Sequence, residues 1–176
     1  MDSTNTKRTL AMSLKALLKE QPLCKISIGE ICDLCSMSRK SFYYHFKDKE
    51  DLVNWIFDTE FEIASKGEER MIDALIRYFY ENKGYYKKVL KEEGQNSFSE
   101  HLYSFCCCLM ENALKKELEM AELTSFQIGF FADGFVCTIK RWMTSYNAAS
   151  PDELTRQISE SLSASNKLYK KEKALA

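Results

Sequence analysis

The sequence predicts an all-α protein, and three observations carry that prediction. Leu10, Leu14, Leu17 and Leu18 set a helical period at the outset. Six Gly and two Pro in 176 residues leave too few turn formers for a chain of short strands. Several later segments begin with the residues that cap helix amino termini. A chain of this length buries about two-thirds of its unfolded surface. Its 45% hydrophobic residues, with eleven Phe, nine Tyr and two Trp, supply a packed core and exclude a disordered chain.

The first helix is expected over Thr6 to Lys19, with Lys15 and Lys19 off its apolar stripe and Pro22 discouraging continuation through Gln21. Ser27 fits an N-cap, Glu30 follows three residues later, and Ile26 and Ile31 take the staple positions, so a short second helix starts there. Its inward side is Ile28, Ile31, Cys32 and Cys35, and Ser36 and Met37 make a tight turn. Ser38 caps a third helix, on which Phe42 and Phe46 share an inward face while Arg39, Lys40, Tyr43 and Tyr44 point outward.

Asp48 starts a fourth helix running through Leu52, Trp55, Ile56 and Phe57 towards Lys66, with Gly67 as terminator. Helices follow near 68–81, 83–93 and 97–119, broken at Asn82 to Gly84 and at Gly94 to Ser97. Thr124 with Gln127, and Ser150 with Pro151 and Glu153, mark the starts of helices over about 125–146 and 151–168. The basic tail from Lys167 is expected to fray.

Charge divides unevenly. Residues 1–47 hold eight Lys or Arg against four Asp or Glu, whereas residues 48–176 hold seventeen against twenty-two. Any contact with a polyanion therefore belongs to the first quarter. Met1 leads into a polar segment with no apolar signal stretch, and no run is long and apolar enough to span a bilayer, so a cytoplasmic protein without membrane contact is expected. In that reducing setting Cys106-Cys107-Cys108 reads as small apolar helix filling. Cys32 and Cys35 lack the second pair that a closed zinc site needs, so no metal is expected, nor any other cofactor. A Gly-rich phosphate loop, a His-Glu-x-x-His sequence and a nucleophile elbow are all missing, which argues against an enzyme.

Two short helices joined by a three-residue turn make a helix-turn-helix, whose second helix enters the major groove by its amino-terminal end. Arg39 and Lys40 then reach phosphates or guanine edges. Tyr43, Tyr44 and His45 offer donors to phosphate oxygens. Ser27 and Lys49, each near a helix start, are placed to clamp the backbone. Periodicity alone reads Arg39 and Lys40 equally well as a solvated face.

The run Ile31 to Phe46 (ICDLCSMSRKSFYYHF), followed by Lys47-Asp48-Lys49-Glu50-Asp51-Leu52, resembles the amino-terminal region of TetR/AcrR-family regulators, a likeness covering about Thr6 to Phe57. The resemblance implies that Ser38, Arg39, Lys40, Tyr43, Tyr44 and His45 form a recognition surface and that Lys49 contacts phosphate. It implies a DNA-binding domain over 1–50 and a helical dimerisation and effector domain over 51–176. That family often has Gly in the turn where this chain has Ser36, a residue that carries about 1 kcal/mol of strain if φ is positive there.

The segment from Phe130-Phe131-Ala132-Asp133-Gly134 through Ile139 and Trp142 to Ser150-Pro151-Asp152-Glu153-Leu154 resembles a subset of these regulators from low-GC Gram-positive bacteria. In the family the last two helices of each subunit form a four-helix homodimer interface, which assigns Gly129, Phe130, Ala132, Gly134, Phe135, Leu154 and Ile158 to it. The same residues also suit a monomer core. Tyr78, Tyr86, Phe98, Tyr103, Phe105 and Trp142 are candidates to line an effector pocket, or to fill the space completely. The implied function is a repressor bound to a pseudo-palindromic double-stranded operator and released by a small-molecule effector. The alternatives are an activator controlled by a coregulator protein and a helical interaction module that binds no operator.

Overall fold

In a computed structural model the described residues are 3–91, 97–118, 123–146 and 148–173. Their regular structure is helical: α1 (Ser3–Glu20), a 3-10 turn (Leu23–Lys25), α2 (Ile28–Leu34), α3 (Arg39–His45), α4 (Lys49–Ala64), α5 (Met71–Glu81), α6 (Lys83–Val89), α7 (Phe98–Leu118), α8 (Ser125–Thr144) and α9 (Pro151–Lys173). The all-α expectation is met. Among the described residues no helix is long and apolar enough to cross a membrane.

Helix starts fall where capping chemistry puts them. Ser27 and Glu30 close a reciprocal capping box, as do Thr124 and Gln127. The hydroxyl of Ser38 accepts from the Ser41 amide, the Asp48 carboxylate from the Asp51 amide and the Ser150 hydroxyl from the Glu153 amide. Each bond satisfies one of the four amides that a helix start leaves without an internal partner.

Helix ends depart further from expectation. α6 stops at Val89, and α9 continues to Lys173. Ion pairs on its exposed side from Arg156 to Glu153 and Glu160 support α9 at i,i+3 and i,i+4 spacing. Of the break expected at Gly94 to Ser97, residues 94–96 lie outside the described residues and Ser97 directly precedes α7. The one expected at Asn82 to Gly84 is confined to Asn82, since α6 starts at Lys83. The 3-10 turn was not expected.

Two compact units divide the chain. The first comprises residues within Met1–Lys66 and Asn82–His101, the second residues within Gly67–Glu81 and Leu102–Ala176. In the first, α1 packs against α2, α3, α4 and α6. Its core holds Leu10, Leu14, Leu18, Ile31, Phe42, Leu52, Ile56 and Phe57, all essentially inaccessible to solvent. Truncating one of these Phe to Ala costs about 3–5 kcal/mol. In the second unit, α5 packs against α8 and α9. Its core includes Ile72, Leu75, Phe79, Ala132, Ile139 and Met143.

Candidate nucleic-acid interface

The α2–α3 junction is built by backbone chemistry. After Leu34, the Ser36 amide bonds to the Asp33 carbonyl (3.2 Å) and the Met37 amide to the Cys32 carbonyl (2.9 Å). This pair of bonds is a Schellman termination, which requires a left-handed residue at the position Ser36 occupies. Ser36 has φ of 54°, the one positive φ outside glycine among the described residues. The chain then turns through Met37 to Ser38, whose cap launches α3.

α3 is seven residues long, and tertiary packing holds it. Phe42 is completely buried and Phe46 nearly so, with their rings 5.8 Å apart. Phe46 also packs on Trp55, and the Lys7 ammonium sits 5.5 Å from the Phe46 ring and 5.8 Å from the Trp55 ring. The opposite face is open. Arg39 and Lys40 are exposed, Tyr43 is 58% and Tyr44 82% exposed, and His45 is half-buried with its ring edge-on to Tyr44. Ser38, Lys40, Ser41, Tyr43 and Tyr44 line one shallow surface depression. Ser41 was missed in the sequence, although its i+3 spacing from Ser38 and i−3 spacing from Tyr44 were the available signal.

Two other site residues are engaged within the chain. The Ser27 hydroxyl accepts from the Glu30 amide (3.2 Å) and donates to its carboxylate (2.8 Å), and the Ser27 amide donates to the same carboxylate. These Ser27 bonds, with one from Gln21, hold the Glu30 carboxyl below its ordinary range. Lys49 directs its ammonium onto the carbonyls of Leu23 (2.7 Å) and Ile26 (3.1 Å), bracing the 3-10 turn against the start of α4.

The six effector candidates divide between the two units. Tyr86 and Phe98 are buried in the first unit, where both rings lie against Phe57. Tyr78 is buried in the second unit. Trp142 stacks on Tyr80 and donates from its indole to the Ala149 carbonyl (2.8 Å). Phe105 is half-buried on α7. Tyr103 bonds to Cys107, which raises its phenol above the ordinary range, and its hydroxyl lies 2.9 Å from where a Cβ on Gly129 would sit.

Five of the seven interface candidates do share a surface. Phe130, Gly134 and Phe135 of α8, with Leu154 and Ile158 of α9, line an open groove of about 640 Å³. Phe130 is 65% exposed there. Gly129 instead makes room for Tyr103, and Ala132 is buried in its own chain.

The seven cysteines are free thiols. Burial pushes the Cys106 thiol up to about 12 and also raises that of Cys32. Among the described residues no group of three or more His, Cys, Asp or Glu is placed to hold a metal ion.

An amino-terminal helix-turn-helix on an all-helical chain defines the class, a transcription regulator of helix-turn-helix type. Residues 14–56 match the model described as "Bacterial regulatory proteins, tetR family", and residues 68–164 match that described as "Transcriptional regulator C-terminal region". The chain belongs to the TetR family of DNA-binding regulatory proteins.

A relative from Lactococcus lactis subsp. lactis (strain IL1403), the HTH-type dhaKLM operon transcriptional activator DhaS, is 26% identical over 172 residues. That alignment covers 94% of this chain and 83% of the relative. The solved structure of the dihydroxyacetone kinase operon activator DhaS aligns with a TM-score of 0.66 at 21% identity, covering 93% of this chain and 97% of that one. A TetR transcriptional regulator from Streptococcus agalactiae 2603V aligns with a TM-score of 0.70 at 18% identity, covering 91% and 94%. At these identities the two structures establish likeness of fold.

Proposed function

We propose that the chain is a sequence-specific transcription regulator that binds double-stranded operator DNA as a homodimer. The amino-terminal fifty residues make the DNA contact, and the helices beyond them serve dimerisation and response. The observation that carries this reading is the division of α3 into a buried Phe42–Phe46 face and an open face bearing Arg39, Lys40, Tyr43 and Tyr44. Donors on a short helix fixed from behind suit phosphate contact and base-edge reading in a major groove. Two such heads in a dimer match half-sites about one helical turn or a small multiple apart, hence a pseudo-palindrome.

The test is gel retardation of the chain's own promoter DNA over a salt series. Wild-type protein is expected to shift a discrete site, and Lys40→Ala to reduce the slope of log affinity against log salt by about one per lysine removed. Tyr43→Ala with Arg39→Ala is expected to abolish the shift at moderate salt. If the wild-type protein shifts nothing, a helical interaction module without operator binding is the better description.

Within this reading the family precedent is repression relieved by an effector. A second reading, activation controlled by a coregulator protein, is favoured by a specific observation: the Lactococcus relative is named as an activator. A promoter fusion in cells with and without the gene separates the two readings by the sign of the change.

A further inference from the structure

Gly29 and Arg39 meet where α2 and α3 come together. Gly29 is buried on the first turn of α2, a place where Ala would make the better helix former. The space left by its missing side chain is taken by the Arg39 guanidinium. A Cβ on Gly29 would lie 2.5 Å from Nη2 and 3.3 Å from both Cζ and Nε of Arg39. The electrostatics of Cys32, one turn further along α2, agree with this placement. The charge of Arg39 pulls the Cys32 thiol downward against the larger upward effect of burial. The guanidinium therefore lies back along the Gly29–Cys32 side of α2.

We propose that Gly29 is a specificity-determining position, because its bare Cα is the seat that fixes the Arg39 guanidinium for reading DNA. The proposal rests on α3 being the DNA-reading helix. An unrestrained Arg side chain samples many rotamers and loses that freedom on binding. One already seated against α2 presents its fork of N–H donors in a set direction. A methyl group at position 29 must displace Nη2. That displacement is easy for the far end of a flexible chain, so the fold survives while the placement is lost.

The experiment uses full-length protein and a random-sequence duplex DNA library, from which the wild-type protein selects its site. Discrimination at each base pair of that site is then measured for Gly29→Ala, Arg39→Ala and the double variant. Gly29→Ala is expected to melt at or above the wild-type temperature. It should nevertheless bind the selected site about fivefold or more weakly and lose preference at the same base pair as Arg39→Ala. The double variant should bind no worse than Arg39→Ala alone.

Wild-type affinity and preference in Gly29→Ala would overturn the proposal, as would losses that add in the double variant. A lowered melting temperature would also overturn it, since Gly29 would then be a packing residue only. If the wild-type protein selects no sequence, the DNA-reading assignment of α3 fails first and this inference fails with it. That outcome is recognised from the wild-type protein alone.

Discussion

Ser36 holds a backbone conformation set by the end of α2 and not by its own preference. With φ of 54° it sits in the left-handed region, where a Cβ crowds the following carbonyl. Glycine removes that crowding but gains freedom in the unfolded chain, so the two effects partly cancel. Ser36→Gly is expected to raise stability by about 0.5–1 kcal/mol, seen as a higher urea midpoint at unchanged slope. A lower midpoint would refute the strain argument. Cysteine burial makes a second prediction at this scale. Cys106 is inaccessible and its thiol is pushed up to about 12, so iodoacetamide at neutral pH should modify exposed Cys24 and Cys108 in the native protein and spare Cys106. The linkage sign follows from a raised folded-state value. Cys106 favours the folded state below the unfolded thiol's value near 9, and that contribution is lost as pH rises from about 9 towards 12. Unfolding followed over that window should show wild-type protein losing more stability than Cys106→Ala.

The helices show which signals the sequence carries and which it lacks. Ser27, Ser38, Asp48, Thr124 and Ser150 mark starts correctly because a cap is a local bond between residues three apart. Removing one is therefore a fair test of a whole element. Thr124→Ala leaves the Gln127 amide without its partner and should cost about 1 kcal/mol, read as a lower melting temperature with helical content preserved. No loss would mean that packing alone holds α8 in place. Helix ends were harder to place because packing and side-chain pairing decide them. α9 runs to Lys173, whereas expectation stopped that helix near 168. The exposed face of α3 was legible because it alternates with Phe42 and Phe46 on one short helix. The seating of Arg39 on Gly29 was not, since it joins residues ten apart across a turn. The same limit hid the bonds from Lys49 to the carbonyls of Leu23 and Ile26, which lie more than twenty residues back. An aromatic count likewise could not tell which of Tyr78, Tyr86, Phe98 and Trp142 would share a core.

At the scale of the whole molecule, the proposed operator recognition requires pairing two chains, because one seven-residue helix would read only a half-site. The groove lined by Phe130, Phe135, Leu154 and Ile158 is the surface proposed to provide that pairing. Phe126 and Phe130 stack at 6.5 Å and are 80% and 65% exposed in the single chain, an apolar surface that water covers poorly. Phe130→Glu separates pairing from folding. In the single chain the site is mostly solvated, so the substitution should change stability by no more than about 0.5 kcal/mol. In a dimer the same carboxylate would be buried against apolar side chains without a partner, at a cost of about 2–5 kcal/mol. Sedimentation velocity should therefore show wild-type protein as a dimer and Phe130→Glu as a monomer at micromolar concentration, with circular dichroism unchanged. Operator binding should weaken in parallel, because two unlinked heads lose the gain in effective concentration that the dimer supplies. A Phe130→Glu protein that stayed dimeric and kept full operator affinity would move the interface away from this groove.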